Sequence, residues 1–318
     1  MTNREKYRGF CKKEVNIPIF SKDWWLDSVC GQSGWDVVLV EKGREVFASL
    51  PYYKTKKSIF NIITMPALTQ TMGVYIKYPE NQKYEKRLSY EKEIMNQLID
   101  ALPNVDHYSQ NFHYSMTNWL PFYWKGYSQT TRYTYVIDDL TDLEKVFINF
   151  NHSKRKNIKK SEQLLTIKFD LSETDFYNNH KMTLSKQKSE ISYSFELFKS
   201  IYENGYKNNS AKTIYAVDEN NNIHGALFII WDDNSAYDLI STIDPDFRNS
   251  GSASLLVKEA IRFVSTKTKK FDFEGSMMES VESSFRQFGA VQKPYFNISK
   301  TNSKFLKIRS LIGEVIKL

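Results

Sequence analysis

The chain holds only two cysteines, Cys11 and Cys30, in 318 residues. They form no CxxC pair and no zinc framework, which excludes a disulfide-stapled scaffold. Both thiols are expected to stay unpaired in a reducing compartment. Five histidines stand without metal-ligand spacing to acidic partners, so no metal is expected. The 12 glycines and 8 prolines gather nowhere, which excludes a low-complexity segment or a loose linker. No apolar run approaches the roughly 20 residues of a membrane helix. The longest, from Gly225 to Trp231, is strand-sized. Residues 1–13 are polar and charged and lack the apolar segment of a secretory signal. A cytoplasmic chain with no membrane span is the expectation. No Ser-His-Asp or Gly-x-Ser-x-Gly pattern suggests hydrolase chemistry. Neither sign of charge dominates: 44 basic residues face 37 acidic ones, and the net +7 suits an anionic ligand without requiring one.

What is abundant is the aromatic ring, with 20 Tyr, 21 Phe and 6 Trp. Rings on this scale build a core and line clefts. In the first half, Ser21 is placed to cap a short helix carrying Trp24 and Trp25 inward. Strand-like runs follow at 36–41 and 45–53, joined by Lys42-Gly43-Arg44, where Gly43 suits a hairpin turn. A third run covers 58–65. Residues 84–102 read as a helix stopped by Pro103. Short strands are expected at 105–110 and 130–137. From Asp139 a helical pattern begins, continued by Ser153-Lys154-Arg155-Lys156-Asn157-Ile158-Lys159-Lys160. The length suits two domains of roughly 100–200 residues each, and the boundary is set near residue 140, giving domains 1–140 and 141–318. The second half alternates strands (166–170, 212–218, 223–231, 236–243, 271–273, 295–299) with helices (173–186, 194–206, 252–266, 278–287). That order implies an α+β or mixed α/β fold, in which an antiparallel meander feeds a strand–loop–helix unit.

The strand–loop–helix unit carries the chemistry. A strand ends at Ile243-Asp244-Pro245. Arg248-Asn249-Ser250-Gly251-Ser252-Ala253 follows, and a helix starts at Ser252 or Ala253. Small residues let backbone approach a ligand. The first helical turn leaves N–H groups free, and its dipole favours an anion. Gly251 has no Cβ to block a phosphate, and Arg248 adds a charge-assisted contact. The alternative is a helix that begins at small residues for packing alone.

Here the sequence resembles the GNAT superfamily, whose signature Arg/Gln-x-x-Gly-x-Gly/Ala is matched by Arg248, Gly251 and Ala253. His224-Gly225-Ala226-Leu227 looks like that family's preceding strand, and Phe285-Arg286-Gln287-Phe288-Gly289-Ala290 like its closing helix end. The opening Asp23-Trp24-Trp25-Leu26, the basic segment Arg155–Lys160 and Asp272-Phe273-Glu274-Gly275 further resemble the Fem-type, methicillin-resistance-like acyltransferases. The resemblance implies two tandem GNAT-like acyl-CoA N-acyltransferase domains, the first degenerate and the second keeping the donor site. It implies acetyl-CoA or another acyl-CoA bound at Ile243, Arg248, Asn249, Ser250, Gly251, Ser252 and Ala253. The acceptor it implies is an amine on a small molecule or a lipid-linked, cell-envelope sugar precursor. Bridge-forming members of the same branch, which act in peptidoglycan assembly, take amino acids from aminoacyl-tRNA instead. The chain departs from the pattern at Phe285, where many acetyltransferases carry the Tyr that protonates the leaving thiolate.

Amine attack on a thioester needs a base and donors for the oxyanion. Glu274, just past the strand at 271–273 and beside Gly275, is the preferred base. A helix N-terminal carboxylate is its bland alternative. Asp272 is a polar residue in an apolar strand, either a buried structural acid or a second site residue. Tyr295 and Asp238 are weaker candidates, each readable as packing or solvent-facing. Arg155, Lys156 and Lys159, with Lys154 and Lys160, form the densest basic run, either a solvated helix face or a contact for substrate phosphate or transfer RNA. An acyl-CoA enzyme, an aminoacyl-tRNA enzyme and a non-catalytic binding protein on the same scaffold all stay open. No coiled-coil arm is visible of the sort that tRNA-dependent bridge enzymes carry, which favours CoA.

Overall fold

The computed structural model describes residues 1–43, 45–275 and 277–308. The chain divides into two compact units, Met1–Arg132 with Pro294–Leu318, and Tyr133–Lys293. This differs from the expected division at residue 140, in which the second domain ran to the C-terminus. The chain leaves the first unit at 132 and returns to it at 294, because the end of the last strand pairs with a strand of the first unit.

The first unit opens with α1 (Asn3–Lys13), a helix the sequence reading did not place. Thr2 accepts the Glu5 N–H, and the Glu5 carboxylate accepts from the Thr2 N–H, a capping box that starts the helix at once. Tyr7, Phe10 and Cys11, three and four apart, bury its inner stripe. In α2 (Asp23–Cys30) Trp25 is buried and donates its indole N–H to Thr69, whereas Trp24 stays half-buried. Ser21 caps nothing; its carbonyl accepts the Tyr7 hydroxyl. Strands β1 (Trp35–Lys42) and β2 (Glu45–Lys57) form the expected hairpin, with Arg44 of its turn outside the described residues. Then come β3 (Phe60–Thr64), β4 (Tyr75–Ile76), α3 (Tyr84–Asp100), β5 (His107–Asn111) and α4 (Leu120–Trp124). Both cysteines are unpaired.

Strand β6 (Ser128–Ile137) carries the chain into the second unit. The helix expected from residue 139 is two helices, α5 (Leu143–Ile148) and α6 (His152–Ser161). Asn151 breaks them apart by accepting the Lys154 N–H as a new N-cap. After β7 (Thr166–Phe169), α7 (Glu173–Lys186) and α8 (Phe195–Lys207) comes an antiparallel meander of β8 (Ala211–Val217), β9 (Ile223–Trp231) and β10 (Ser235–Ile243). A 3-10 turn over Pro245–Ser250 leads into α9 (Ser252–Val264), then β11 (Lys270–Asp272), α10 (Glu279–Arg286) and β12 (Val291–Thr301). Within this unit the strands run β6, β11, β10, β9, β8, β7. Apolar residues of α9, including Leu255, Leu256, Ala260 and Ile261, pack on Leu227, Ile229 and Trp231 of β9 and on Phe271 and Phe273. That core fixes the strand ends from which the site is built.

Candidate functional site

The loop between β10 and α9 is not loose. Asp244 accepts the Asp246 N–H at 3.0 Å, and Pro245 starts the 3-10 turn. Three elements then hold the turn. From α7, the Lys186 ammonium pairs with Asp244 at 2.7 Å and Asp246 at 2.6 Å. From β9, His224 stacks on Phe247 with centroids 3.9 Å apart, and its carbonyl accepts the Asp244 N–H. From α6, the Ser161 hydroxyl donates to the Ser250 carbonyl at 2.7 Å, and Lys160 donates to the Asn249 carbonyl at 2.8 Å. Gly251 sits at φ 82°, and a Cβ there would lie 2.5 Å from Ser161 Oγ and 2.8 Å from the Asn157 carbonyl. Only glycine allows α6 this close.

The expected donor residues thus divide. Arg248 and Asn249 are exposed, and Arg248 makes no ion pair among the described residues. Ser250, Gly251 and Ser252 join the loop to its supports. Ala253 is half-buried in the first turn of α9, and Ile243 packs toward Gly225 and Leu256. Gly251 offers α9 no side-chain cap, and the Ser252 N–H donates to the Ser250 Oγ at 3.3 Å, so the dipole of this 13-residue helix is what its start offers an anion. These residues fit a pyrophosphate.

The basic run splits as well. Arg155, Lys156, Lys159 and Lys160 point outward, and Ile158 and Ser161 face the core. Lys154 turns in, donates to Ser284 at 2.9 Å and lies 4.2 Å from the Phe288 ring centre. Burial pushes its ammonium down to about 8.

The second feature lies midway along β10, at its bulge. Its ladder with parallel β11 covers only Ser235 to Tyr237 against Lys270 to Asp272. There β11 ends, while β10 bulges between Asp238 and Ile240 and continues to Ile243. Where the strands part, three carboxyl groups gather: Asp238, Asp272 and Glu274. Asp272 is 0% exposed. Its Oδ1 accepts from the Thr134 hydroxyl and from the Glu274 N–H, and its Oδ2 has no partner. Glu274 and Gly275 are both left-handed, at φ 59° and 61°. A Cβ on Gly275 would lie 2.1 Å from the Tyr133 carbonyl, so the turn is pressed onto β6. Glu274 Oε1 is buried without a partner. Asp238 accepts the Ser241 hydroxyl on both oxygens at 2.8 Å.

Burial pushes all three carboxyls up, Asp238 to about 6 and Asp272 to about 7. Glu274 rises well above the ordinary carboxylate range through burial and then through the charges of Asp272 and Asp238. Asp272 is therefore at once the structural acid and a member of the cluster. Asp238 belongs to it too, although its alternation in the sequence read equally well as solvent-facing.

Tyr295 is buried on β12. Phe285 is a packing ring, 5.1 Å from Phe273 and 6.3 Å from Tyr135. Ser161, Lys186 and His224 were missed as loop supports. Ser161 and Lys186 are distant in sequence from what they hold, and His224 carried only the pattern of a strand. A groove of about 610 Å³ in the first unit, floored by Phe10 and Val46, contains none of the candidates. No helix is long and apolar enough to cross a membrane, and no group of three or more metal-ligating side chains occurs, among the described residues.

Two units of mixed strands and helices, one with a strand–glycine–helix loop, make up a mixed α/β fold like that of FemX. The comparisons with known structures give that assignment. A crystal structure of FemX matches with a TM-score of 0.68 at 10% identity, over 93% of this chain and 96% of that one. The structure of L-PGS from Bacillus licheniformis matches with 0.57 at 11%, over 98% and 96%. The C-terminal domain of a putative lysylphosphatidylglycerol synthetase from Agrobacterium fabrum matches with 0.54 at 9%, over 99% and 96%. No family model and no curated protein sequence matches the chain.

Proposed function

We propose that the chain is an N-acyltransferase that moves an acyl group from acyl-CoA to an amine of a small molecule or a cell-envelope sugar precursor. The observation that carries this reading is that β10 leads from a buried carboxyl cluster, beside its bulge at Asp238, to an anion-receptive helix N-terminus just past its end. From Asp238 to Asp244 the chain covers roughly 20 Å at strand rise. An extended arm between a pyrophosphate and a thioester bridges a span of that order.

The N-terminus of α9, with Gly251 and Arg248, would hold the pyrophosphate. Acyl-CoA, when bound, supplies an acyl carbon activated as a thioester. The chain's own residues do the rest. Glu274 accepts a proton from the amine, and the neighbouring negative charges raise its basicity once it is ionised. Asp272 holds the Glu274 backbone through its Oδ1. Gly275, against Tyr133, fixes the turn. Phe285 donates no proton, so the departing sulfur takes its proton from another source.

Calorimetric titration of acetyl-CoA tests the reading. Wild type is expected to give a saturable heat signal, and an Arg248→Ala, Gly251→Trp double variant none. Silence with acetyl-CoA and with longer acyl-CoAs sinks it, and charged transfer RNA then becomes the donor to titrate. Binding of acetyl-CoA with no transfer to any amine supports a non-catalytic scaffold instead.

A further inference from the structure

The first unit presents apolar side chains at a place where its own packing does not use them. β2 and β3 pair Lys57 with Phe60, so Ser58 and Ile59 form the turn between them. Two-residue turns favour Gly, Asn and Asp, which tolerate a left-handed backbone. Here Ser58 takes the left-handed position, at φ 58°, and Ile59 stands at the tip, 81% exposed. A second element ends beside it. Residues 304–308 make a helical turn after β12, in which the Ser303 carbonyl accepts the Lys307 N–H at 3.1 Å. The Phe305 ring stacks on Phe60 with centroids 5.9 Å apart, and Ile308 follows at helical spacing on the same face. Phe305 is 66% exposed and Ile308 58%. Asp106 ties the two elements together. Its Oδ2 accepts the Asn61 N–H at 2.8 Å, and its carbonyl accepts the Asn302 and Ser303 N–H groups.

The same two segments are basic. Residues 53–64 hold Lys54, Lys56 and Lys57, residues 294–308 hold Lys300, Lys304 and Lys307, and neither stretch contains Asp or Glu. Lys56, Lys57, Lys304 and Lys307 are exposed. Lys307 also lines a polar cleft of about 330 Å³ with Lys300, Ser128, Ser299 and Thr301, a set of ammonium and hydroxyl donors that suits a phosphodiester. Apolar tips set among lysines match a bilayer interface. Such an interface takes apolar side chains at the boundary between headgroups and acyl chains, and its anionic headgroups attract the ammonium groups beside them. A nucleic acid would use the lysines but has no place for Ile59 and Ile308. We propose that the β2–β3 tip and the helical turn at 304–308 dock the first unit on the surface of an anionic phospholipid bilayer. Ile59, Phe305 and Ile308 enter the headgroup boundary, and the lysines meet lipid phosphates. This surface stands apart from the acyl-transfer reading and needs neither its donor nor its acceptor.

Co-sedimentation of the full chain with phosphatidylcholine vesicles, with and without phosphatidylglycerol, tests the docking surface. Binding is expected to the vesicles that hold phosphatidylglycerol, and to fall as salt rises. Lys56→Gln with Lys57→Gln should weaken it about tenfold or more. Ile59→Ser with Ile308→Ser should weaken it by about the same factor with every lysine in place. Both isoleucines are exposed, so this variant is expected to melt as wild type does; should it not, Ile59→Ser alone takes its place. Equal binding to both kinds of vesicle, binding to neither, or anionic binding that the isoleucine variants keep in full overturns the proposal. A single-stranded RNA oligomer is titrated alongside. RNA binding that survives the isoleucine changes, without vesicle binding, assigns the lysines to nucleic acid and overturns it as well.

Discussion

Asp272 makes the residue scale quantitative. Its folded carboxyl titrates near 7, against an ordinary value of 3.8, because burial disfavours the charge. A carboxyl raised in the folded state contributes stability that is fully present below about 3.8 and is lost as pH rises through about 7. Wild type should therefore lose stability across that window. Asp272→Asn, which keeps an acceptor for Thr134 and for the Glu274 N–H, should lose less. Denaturant melts of both proteins at several pH values check this; parallel curves would refute it. Glu274→Gln removes the proton acceptor and should lower kcat by about 10²–10⁴ with acetyl-CoA binding unchanged. Its position after the strand at 271–273 and before Gly275 was legible in sequence, but there a helix N-terminal carboxylate read equally well. Its neighbours were less so. Asp238 alternates with apolar residues as a solvent-facing acid would, and only the bulge in β10 and the parting of β11 reveal that it is buried.

At the scale of elements, the loop between β10 and α9 depends on α6 more than on itself. Gly251→Ala places a methyl group against Ser161 and Asn157 and adds the left-handed penalty of about 1–2 kcal/mol. The expected result is a lower Tm together with weaker acetyl-CoA binding. Ser161→Ala keeps the space and removes a hydroxyl shared between the Ser250 and Asn157 carbonyls, so it should cost only about 1 kcal/mol. Calorimetry and thermal melts on both variants check the contrast. The strand–small-residue–helix pattern was readable because its signals are local: a proline, a left-handed glycine and an apolar helix face. The clamps were not, because Ser161 and Lys186 stand 89 and 58 residues from the atoms they bond. The break between α5 and α6 was missed for a related reason. Asn151 was read inside a continuing helical pattern, yet its side chain serves as a cap. In α1 the same three-and-four spacing of buried residues was present, and attention to charge alone passed over it.

At the scale of the molecule, net charge and topology matter. Lys156, Lys159 and Lys160 lie outward on the helix that clamps the loop between β10 and α9, so they would add to the field met by the proposed anionic donor. Replacing Lys156 and Lys159 with Gln should weaken acetyl-CoA binding and flatten its dependence on salt, as titrations at rising ionic strength would show. An unchanged salt dependence would confine these lysines to solvation. The order of strands and helices foretold the mixed fold, but it did not foretell that β12 closes the first unit. β12 pairs through Asn297 to Thr301 with β5, whose own residues lie nearly two hundred positions earlier. On the ribosome the second unit is therefore complete in sequence before the first, although it starts later. The early segment must wait, with the edge of β5 uncovered, until its closing strand is made, and a chaperone that shields strand edges has that interval in which to act.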